Sequence, residues 1–493
     1  MKKKIMILGS GTAGLITAAI IQSQWGDKVD IDLFYNPEQK NIAVGESTTP
    51  IIQKLLFLIN VSWQEFMQNV SSSIKLGIKF KNWTGEGSQY FHGFTGIGFQ
   101  KYPSTYVQTS SAAYSILNDC YNGSILYDKA TNEIPSLDPS RFVHAFHLDT
   151  KELSNFLENK FKDKINFVGD KATKVHVNNG MIESVDFEKT GNVTADFYID
   201  CSGFSAVLLK ELNPEWVDIS NILTVDKAIP QQIPCLFDEV PSYTLSEATK
   251  NGWIWEIPIR NRYGTGYSYS SQFTTDEEAR EDYNAWLQQR HGVELQTDRV
   301  IHYRPGYYKD FWIGNCMSIG LSSGFVEPLE STGIQIILEQ IGYLIKIEGP
   351  LLQNLNHTRK IANQNNLNLY QNIIDFICLH YDTNRTDSLF WNYMTHHKSD
   401  WMLDFEDLCK NNFLDILNFP QGNELFSMES YVAVSCGLNL FTKEGIKNYL
   451  RNQSNPEYFI SELKKRYDEE VEIKQVVQSQ SVSHKQLLNS IAL

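Results

Sequence analysis

The sequence predicts an α/β fold that opens with a Rossmann-type dinucleotide-binding unit and ends in a mostly helical region. Gly9, Gly11 and Gly14 form the pattern G-x-G-x-x-G, between a short apolar run typical of a buried strand and a longer run typical of a helix. From Ile334 onward the apolar residues recur at helical spacing. We therefore predict an α/β module with sheet inserts over residues 1–340 and a helical region over residues 341–493.

Composition narrows the class of protein. The chain has 493 residues, with 43 Lys and Arg against 58 Asp and Glu, a net charge of -15 and a pI near 5.3. An acidic balance of this size argues against nucleic acid or an anionic membrane surface as the main partner. The seven cysteines are scattered without metal-ligand spacing, so the sequence predicts a reducing compartment and no metal site.

The first residues resemble a secretory signal, because three lysines precede an apolar run. The glycine pattern directly after the strand-like IMIL favours a Rossmann start instead. No other apolar stretch reaches the roughly 18 residues that span a bilayer. The sequence therefore predicts a cytoplasmic protein with no membrane partner.

The second strand-like run, VDIDLFYN, ends in Tyr35 and Asn36, where NAD-binding proteins normally place an acid on the ribose hydroxyls. A hydrogen bond from Asn36 or Tyr35 to a ribose stays open. Two distant segments, one ending at Gly203 and one at Gly333, again combine a strand with a glycine turn. A chain that returns twice to one extended dinucleotide fits FAD better than NAD.

Five motifs carry a family resemblance. They are GSGTAG (9–14), VGESTTP (44–50), IKLGIKF (74–80), GWIWEIP (252–258) and GFVEPLESTGI (324–334). With them, the chain resembles the flavin-dependent halogenases of the tryptophan halogenase family, from the N-terminus to about Asp387. The resemblance implies a Rossmann-type FAD domain of the flavin monooxygenase kind, and a helical C-terminal region that covers the substrate. It also implies that reduced FAD and dioxygen oxidise a halide ion to hypohalous acid.

The resemblance assigns one catalytic role to Lys75, which stands two residues before the glycine of KLG. A lysine in an apolar passage is desolvated, which lowers its pKa and makes the neutral amine accessible. The amine would form a haloamine, or the ammonium would hydrogen-bond the hypohalous acid, and both alternatives stay open. The competing interpretation puts Lys75, Lys79 and Lys81 together on a solvated face.

The second catalytic role falls on Glu330. Electrophilic halogenation builds positive charge on an aromatic ring, and a fixed carboxylate stabilises that charge and accepts the departing proton. An acid just before a helix also complements the helix dipole, so a capping role is the alternative. The resemblance assigns halide to the backbone at Thr332 and Gly333, where a helix N-terminus offers unpaired N–H groups.

The resemblance and the glycine turns together give a set of predicted cofactor-binding residues, which would hold reduced FAD delivered from another protein. These residues are Gly9, Gly11, Thr12, Ala13, Gly14, Asn36, Glu46, Ser47, Thr48, Gly203, Gly320, Leu321 and Ile334.

Substrate contacts are predicted at His92, Phe94 and Tyr431, which match family positions around the aromatic ring. The C-terminal segment that closes over the amino-acid part of tryptophan in the family is short here, and Val432 follows Tyr431. Unsatisfied substrate charges are costly to bury. The sequence therefore favours indoles, phenols or other electron-rich rings over free tryptophan.

Two other functions stay open. A flavin aromatic hydroxylase shares the FAD fold, but such enzymes usually place an Asp where this chain has Leu321. A flavin-fold binding protein without catalysis is less consistent with the intact Lys75 and Glu330. For the halogenase, the sequence predicts a separate flavin reductase as partner, and it leaves homo-oligomerisation open.

Overall fold

The computed structural model describes residues 2–39, 45–94, 112–118, 133–135, 143–234, 239–347, 356–414, 419, 425–479 and 481–491. The strands, in chain order, are β1 (Lys3–Leu8), β2 (Val29–Tyr35), β3 (Glu46–Ser47), β4 (Ser72–Lys75), β5 (Gly77–Lys81), β6 (Gln89–Gly93), β7 (Glu133–Pro135), β8 (Ala145–Leu148), β9 (Asn166–Gly169), β10 (Ala172–Asn178), β11 (Met181–Phe187), β12 (Gly191–Val193), β13 (Phe197–Asp200), β14 (Trp216–Asp218), β15 (Lys227–Pro234), β16 (Tyr243–Ala248), β17 (Gly252–Pro258), β18 (Arg262–Tyr269), β19 (Ile301–His302), β20 (Gly306–Tyr308), β21 (Trp312–Ile313), β22 (Cys316–Ser318), β23 (Gly324–Phe325) and β24 (Ser481–Ser483).

The helices, in the same order, are α1 (Thr12–Trp25), α2 (Ile52–Leu58), α3 (Trp63–Asn69), α4 (Thr150–Phe161), α5 (Asp276–His291), α6 (Gly333–Ile347), α7 (Asn356–His380), α8 (Leu389–His396), α9 (Asp400–Asn411), α10 (Met428–Gly437), α11 (Lys443–Arg451), α12 (Pro456–Ser479) and α13 (His484–Ile491).

The chain forms two compact units, and each consists of three separate segments. The first unit comprises Met1–Ser72, Leu148–Ser220 and Tyr303–Tyr370, and the second comprises Ser73–His147, Asn221–His302 and Gln371–Leu493. These units are defined by packing alone. A functional boundary near residue 340 therefore remains a prediction.

The first unit contains the predicted Rossmann-type sheet. Its six strands have the order β21-β22-β13-β1-β2-β9, and every neighbouring pair from β22 to β9 is parallel. Residues Ile5, Met6 and Ile7 of β1 are fully buried, as expected for a central strand that is covered on both faces. Helix α1 follows β1 after the glycine turn. The predicted α/β fold class is confirmed, and the antiparallel sheet β10-β11-β12 is one of the predicted inserts.

The second unit is built on a seven-stranded mixed sheet with the order β19-β15-β18-β17-β16-β5-β6. Only the pair β16 and β5 is parallel among these strands. Helix α5 begins with a capping box between Thr275 and Glu278. Its buried Tyr283 packs in a core with Tyr263 and Tyr267 of β18.

The C-terminal tail is ordered by its own apolar spacing. The glutamine- and serine-rich sequence after about Gln475 predicts loose order, and this prediction is wrong. Strand β24 pairs antiparallel with β7, and helix α13 buries His484, Leu488 and Ile491. These three positions are spaced i, i+4 and i+7, which is the spacing of one helix face.

Within the described part of the chain, no helix is long and apolar enough to cross a membrane. The same residues contain no group of three or more His, Cys, Asp or Glu side chains that could hold a metal ion.

Candidate active site

Three glycine turns meet at the carboxyl edge of the parallel sheet in the first unit. A Cβ atom on Gly9, at the end of β1, would lie 2.2 Å from the carbonyl oxygen of Cys201, which follows β13. A Cβ atom on Gly320, after β22, would lie 3.0 Å from the Cβ of Ala13. Gly9 and Gly320 have φ values of 119° and 72°, which favour glycine. Ligands of open α/β sheets bind at this edge.

The start of α1 has the geometry that a dinucleotide phosphate needs. Gly11 is the N-cap residue, no side chain caps the helix, and a Cβ atom on Gly11 would meet nothing within 4 Å. A Cβ atom on Gly14, in contrast, would lie 1.8 Å from the carbonyl oxygen of Gly9. Gly14 therefore allows close packing of helix and turn, whereas Gly11 borders open space at a helix N-terminus.

Asp200 shapes the second turn, and the sequence analysis did not single it out. Its buried carboxylate accepts hydrogen bonds from the N–H groups of Ser202, Leu208 and Leu209 at 3.0, 2.7 and 2.9 Å. Burial raises the pKa of Asp200, although these hydrogen bonds oppose the rise. Gly203, inside this turn, has φ 68°, and a Cβ atom there would meet nothing within 4 Å.

Gln340 fixes the third turn to helix α6 and was likewise missed. Its Oε1 accepts the N–H of Gly320 at 2.8 Å, and its Nε2 donates to Ser323 Oγ and Asn366 Oδ1 at 2.6 and 3.0 Å. The Gln340 side chain is fully buried. Leu321, a predicted cofactor residue, lies in the turn that Gln340 holds.

The segment from Glu327 to Gly333 contains a left-handed residue, Ser331. A 3-10 turn covers Pro328–Glu330, and Ser331 follows with φ 62° in the left-handed region. Glu330 is 3% exposed, whereas Gly333 opens α6 at an exposed position where a Cβ atom would meet nothing within 4 Å. Ile334, the next residue, is fully buried. Ser331 therefore interrupts the regular backbone between the 3-10 turn of Glu330 and the start of α6.

The VGESTTP segment is tied to the first turn of α6, because Thr49 Oγ1 donates a hydrogen bond to Gln335 Oε1. Thr48 is fully buried, and Glu46 and Ser47 form the half-buried strand β3. Desolvation raises the pKa of Glu46 to about 7. The predicted cofactor residues of this segment therefore lie beside the predicted halide-binding turn.

Asn36 has a local role in the turn after β2. Its Oδ1 accepts the N–H of Glu38 at 3.0 Å, and its carbonyl oxygen accepts the N–H of Gln39 at 3.2 Å. This is an Asx turn, which occupies the side-chain oxygen. The amide NH2 is the group that Asn36 would offer to a ribose.

Lys75 is a fully buried lysine in the second unit, at the end of β4. Its Nζ lies 5.2 Å from the centroid of the Phe94 ring. The N–H of Phe94 donates to the carbonyl oxygen of Leu76 at 2.9 Å, and the N–H of Leu76 donates to that of Ser242 at 2.7 Å. The structure therefore brings Lys75 and Phe94 together, and the interpretation of Lys75 as part of a solvated face is wrong.

A buried histidine supports β4 next to Lys75. His147 Nε2 accepts a hydrogen bond from Thr244 Oγ1 at 2.9 Å, and its Nδ1 donates to Ser73 Oγ at 3.0 Å. Ser73 in turn donates to the carbonyl oxygen of Pro258, in the GWIWEIP strand. Burial and the nearby charge of Lys75 lower the pKa of His147 well below its usual value. His147 therefore stays neutral beside the lysine.

His92 and Tyr431, two predicted substrate contacts, lie around the ring of Phe376. The centroid distances from Phe376 are 5.3 Å to His92 and 4.9 Å to Tyr431. His92 and Tyr431 are 5% and 3% exposed, and Phe426 stacks on Phe376 at 3.9 Å. The three predicted substrate residues thus belong to one unit, in which His92 and Tyr431 share an aromatic cluster.

Glu256 of the GWIWEIP strand has a structural role. Its buried carboxylate receives two hydrogen bonds from Arg290, at 2.8 and 3.0 Å, and lies 2.8 Å from His291 Nε2. Burial opposes ionisation of Glu256, but hydrogen bonds from His291 and Arg290 hold its pKa below the usual value. Trp253 and Trp255 on the same strand are buried, with ring centroids 6.1 Å apart.

Comparison with known proteins decides the family. The family profile described as tryptophan halogenase matches residues 4–451. The chain belongs to the tryptophan halogenase family. It is 33% identical over 420 residues to tryptophan 7-halogenase RebH of Lentzea aerocolonigenes, which covers 79% of this chain and 78% of the relative.

Solved structures agree with this family. A tryptophan halogenase from Shewanella frigidimarina has a TM-score of 0.87 at 24% identity, over 100% of this chain and 98% of that chain. BrvH, a flavin-dependent halogenase from Brevundimonas, has a TM-score of 0.81 at 25% identity, over 100% of both chains. The prediction of a flavin-dependent halogenase with a Rossmann-type fold is thereby confirmed at the level of the family.

The residues of this halogenase fit a flavin dinucleotide in the first unit, because Gly11, Gly203 and Gly333 all border open space. Lys75 lies in the second unit and Glu330 in the first. Their pairing, and the individual role of each predicted site residue, stay predictions.

Proposed function

We propose that this halogenase uses reduced FAD, dioxygen and a halide ion to make hypohalous acid, which Lys75 and Glu330 direct to an electron-rich aromatic ring. The observation that supports this most is the complete burial of Lys75 beside the Phe94 ring. Full burial is unusual for a lysine side chain. A buried amine next to an aromatic side chain is suited to meeting an oxidant and an arene away from water.

FAD would occupy the carboxyl edge of the parallel sheet. Its pyrophosphate would lie at the start of α1, where Gly11 leaves space for it and the helix dipole favours negative charge. The turns at Gly203 and Gly320 would border the rest of the cofactor, together with Thr48 and Ile334. When bound in its reduced form, FAD would supply two electrons to dioxygen, and the oxygen activated in this way would take two electrons from the halide.

Halide would bind at the N-terminus of α6. Thr332 and Gly333 provide backbone N–H groups at the start of a 15-residue helix, and the positive end of the helix dipole favours an anion there. The absence of a side chain at Gly333 leaves room for the halide and the flavin to approach each other. Chloride, bromide and iodide all satisfy this chemistry.

Glu330 would act on the arene. Its carboxylate would stabilise the positive charge of the ring during electrophilic attack and then accept the ring proton. The left-handed residue Ser331 allows Glu330 and the halide turn to point in different directions. At Lys75, both a haloamine and a hydrogen bond from the ammonium to hypohalous acid remain consistent with full burial.

The proposed substrate is an indole, a phenol or another electron-rich ring rather than free tryptophan. His92, Phe94 and Tyr431 would contact the ring. Val432 is buried and cannot bond an ammonium or a carboxylate, so the charged groups of an amino acid lose one polar neighbour there. A separate flavin reductase would supply reduced FAD by diffusion.

The test is a pooled reaction of the protein with a flavin reductase, FAD, NADH, air, bromide and a panel that contains tryptophan, indole and phenols. Mass spectrometry identifies brominated products by their paired isotopes. We expect a monobrominated indole or phenol, unchanged tryptophan, and no product with Lys75→Ala. Lys79→Ala is the matched control, because Lys79 also lies over an aromatic ring, at 5.7 Å from the Tyr243 centroid.

Other outcomes would favour other functions. Oxygenated products without bromine would replace halogenation by aromatic hydroxylation. Wild-type product from Lys75→Ala would refute the role of Lys75. Brominated free tryptophan as the main product would refute the substrate proposal while leaving the halogenase intact. No product together with no retained FAD would favour a flavin-fold binding protein.

A further inference from the structure

The C-terminal residues beyond the family match return to the strand that carries Lys75. The family profile ends at residue 451, whereas β24 and α13 span residues 481–491. Strand β24 pairs with β7, and Ser483 Oγ donates to Glu239 Oε2 at 2.9 Å. Helix α13 then places the fully buried side chain of its first residue, His484, against β4.

Both ring nitrogens of His484 form hydrogen bonds to the backbone. Nε2 accepts the N–H of Ile74 at 3.0 Å, and Nδ1 donates to the carbonyl oxygen of Val240 at 3.0 Å. An acceptor at Nε2 together with a donor at Nδ1 defines one neutral tautomer. Burial lowers the pKa of His484 to about 4, which is consistent with the neutral ring.

These hydrogen bonds anchor the backbone directly beside Lys75. On one side, the N–H of Ile74 is bound by His484. On the other side, the N–H of Leu76 is bound by the carbonyl oxygen of Ser242 at 2.7 Å. Val240 and Ser242 lie two residues apart in one segment. His484 bonds this segment at Val240 and also bonds Ile74, so it connects the backbone before Lys75 to the segment that holds the backbone after it. The position of Nζ beside Phe94 depends on this backbone.

We propose that His484 is a positioning residue for halogenation, which holds the backbone at Ile74 so that the Lys75 amine meets the hypohalous acid in a productive place. This inference rests on the proposed role of Lys75. It assigns to the C-terminal tail a part in the reaction that acts through the backbone of Ile74. A displacement of about 1 Å at a reacting group can cost on the order of 100-fold in rate.

A pair of amide substitutions separates the two hydrogen bonds of His484. In His484→Asn, the short amide takes the place of Nδ1 and keeps the bond to Val240, but it does not reach the N–H of Ile74. In His484→Gln, the longer side chain brings its oxygen to the place of Nε2 and accepts that N–H. Leu488→Ala is the control for loosening of the tail, because Leu488 is buried on the same helix without a role at Ile74.

The full-length variants are compared in the flavin reductase reaction with bromide and indole. A phenol linked to a large dextran polymer, which cannot enter a buried site, is brominated only by hypobromous acid that escapes from the protein. We expect His484→Asn to lower bromoindole by roughly 10- to 100-fold while dextran bromination stays equal or rises. We expect His484→Gln to stay within about threefold of wild type, and Leu488→Ala to keep the wild-type ratio of the two products.

Equal product ratios in the Asn, Gln and wild-type proteins would overturn the positioning role. So would a Leu488→Ala protein that shows the same change of ratio as His484→Asn, since the effect would then come from the loosened tail. Lys75→Met is run alongside. If it makes as much bromoindole as wild type, the proposed function of Lys75 fails first and the inference fails with it. If it makes none while the His484 variants are unaffected, only the inference fails.

Discussion

Replacing Gly14 by alanine is expected to destabilise the first unit strongly, because the new methyl group has no room. A Cβ atom on Gly14 would lie 1.8 Å from the carbonyl oxygen of Gly9, and real Cβ atoms essentially never approach a neighbour within 3.0 Å. The obstacle is backbone, so helix α1 and the glycine turn must separate by more than about 1 Å, and overpacking of this kind typically costs about 1–3 kcal/mol. We expect the free energy of unfolding to fall by about 3 kcal/mol, at the upper end of this range, because neither backbone segment is free to rotate away.

Gly11→Ala is the matched control. Gly11 has an ordinary φ of -71°, and a Cβ atom there would meet nothing within 4 Å. Because alanine is a poorer N-cap residue than glycine, we expect the free energy of unfolding to fall by about 1 kcal/mol at most. The methyl group would instead enter the space that we propose for the FAD pyrophosphate. The two substitutions therefore separate a packing effect from a binding effect.

Thermal unfolding without flavin and titration of flavin fluorescence measure the two effects. For Gly14→Ala we expect a Tm lower by roughly 6–12 °C, which corresponds to about 3 kcal/mol in a unit of this size. For Gly11→Ala we expect a Tm near that of wild type and an FAD Kd raised on the order of tenfold. A Gly14→Ala protein as stable as wild type would refute the packing argument. Unchanged FAD affinity in Gly11→Ala would refute the proposed cofactor space.

Three further predictions concern other parts of the chain. Arg290→Ala leaves the buried Glu256 carboxylate with His291 as its one side-chain partner among the described residues, and should lower the free energy of unfolding in urea by about 3–5 kcal/mol. The pKa of Glu256 lies below the ordinary carboxyl value of 4.5. The ion pair therefore stabilises the wild-type protein at pH values above 4.5, and this stabilisation is lost as the pH falls below 4.5 and the carboxylate becomes protonated. Burial lowers the pKa of His484 from 6.5 to about 4 in the folded protein. The neutral ring therefore contributes about 3 kcal/mol to the free energy of unfolding above pH 6.5, and this contribution should be lost as the pH falls to 4. Gly333→Ala should keep the fold, since a Cβ atom there meets nothing within 4 Å, but lower bromide oxidation in the reductase assay.

Controls for these predictions come from the same chain. Lys464→Ala breaks the exposed pair with Asp468 and should change the stability by less than about 1 kcal/mol. An Arg290→Ala effect of that small size would contradict a buried ion pair. His484→Gln removes the titrating ring, so a stability curve between pH 6.5 and 4 that keeps its wild-type slope would show that another group titrates. A Gly333→Ala protein with wild-type bromide oxidation would contradict a halide site at the start of α6.

The local parts of the fold follow from the sequence, and the long-range polar contacts do not. The pattern Gly9, Gly11, Gly14 between apolar runs predicts strand, turn and helix. Two of these glycines meet a local demand, because Gly9 adopts a φ of 119° and Gly14 packs against the carbonyl oxygen of Gly9. Asp200 and Gln340 are different, since each accepts backbone N–H groups in a turn that only the folded chain creates. An isolated Asp or Gln carries no periodic signal of such a role.

The candidate site shows the same division. The motif around Lys75 predicts a special lysine, and its burial beside Phe94 agrees with that expectation. His484 lies 410 residues from its partner Ile74, and no spacing rule connects them. The apolar positions of the C-terminal helix were visible in the sequence, but the surrounding Gln and Ser residues obscured them. Composition alone was therefore a poor guide to order at the end of the chain.

The segments of the two units alternate along the sequence, so the two units become complete at different times during synthesis. The last segment of the first unit ends at Tyr370, so this unit can be complete while the ribosome is still translating. The strand with Lys75 emerges early, yet the N–H beside that lysine waits for a histidine made 410 residues later. A nascent chain would thus hold all segments of the first unit before its lysine strand is secured. Synthesis of residues 481–491 would be the event that secures the strand with Lys75.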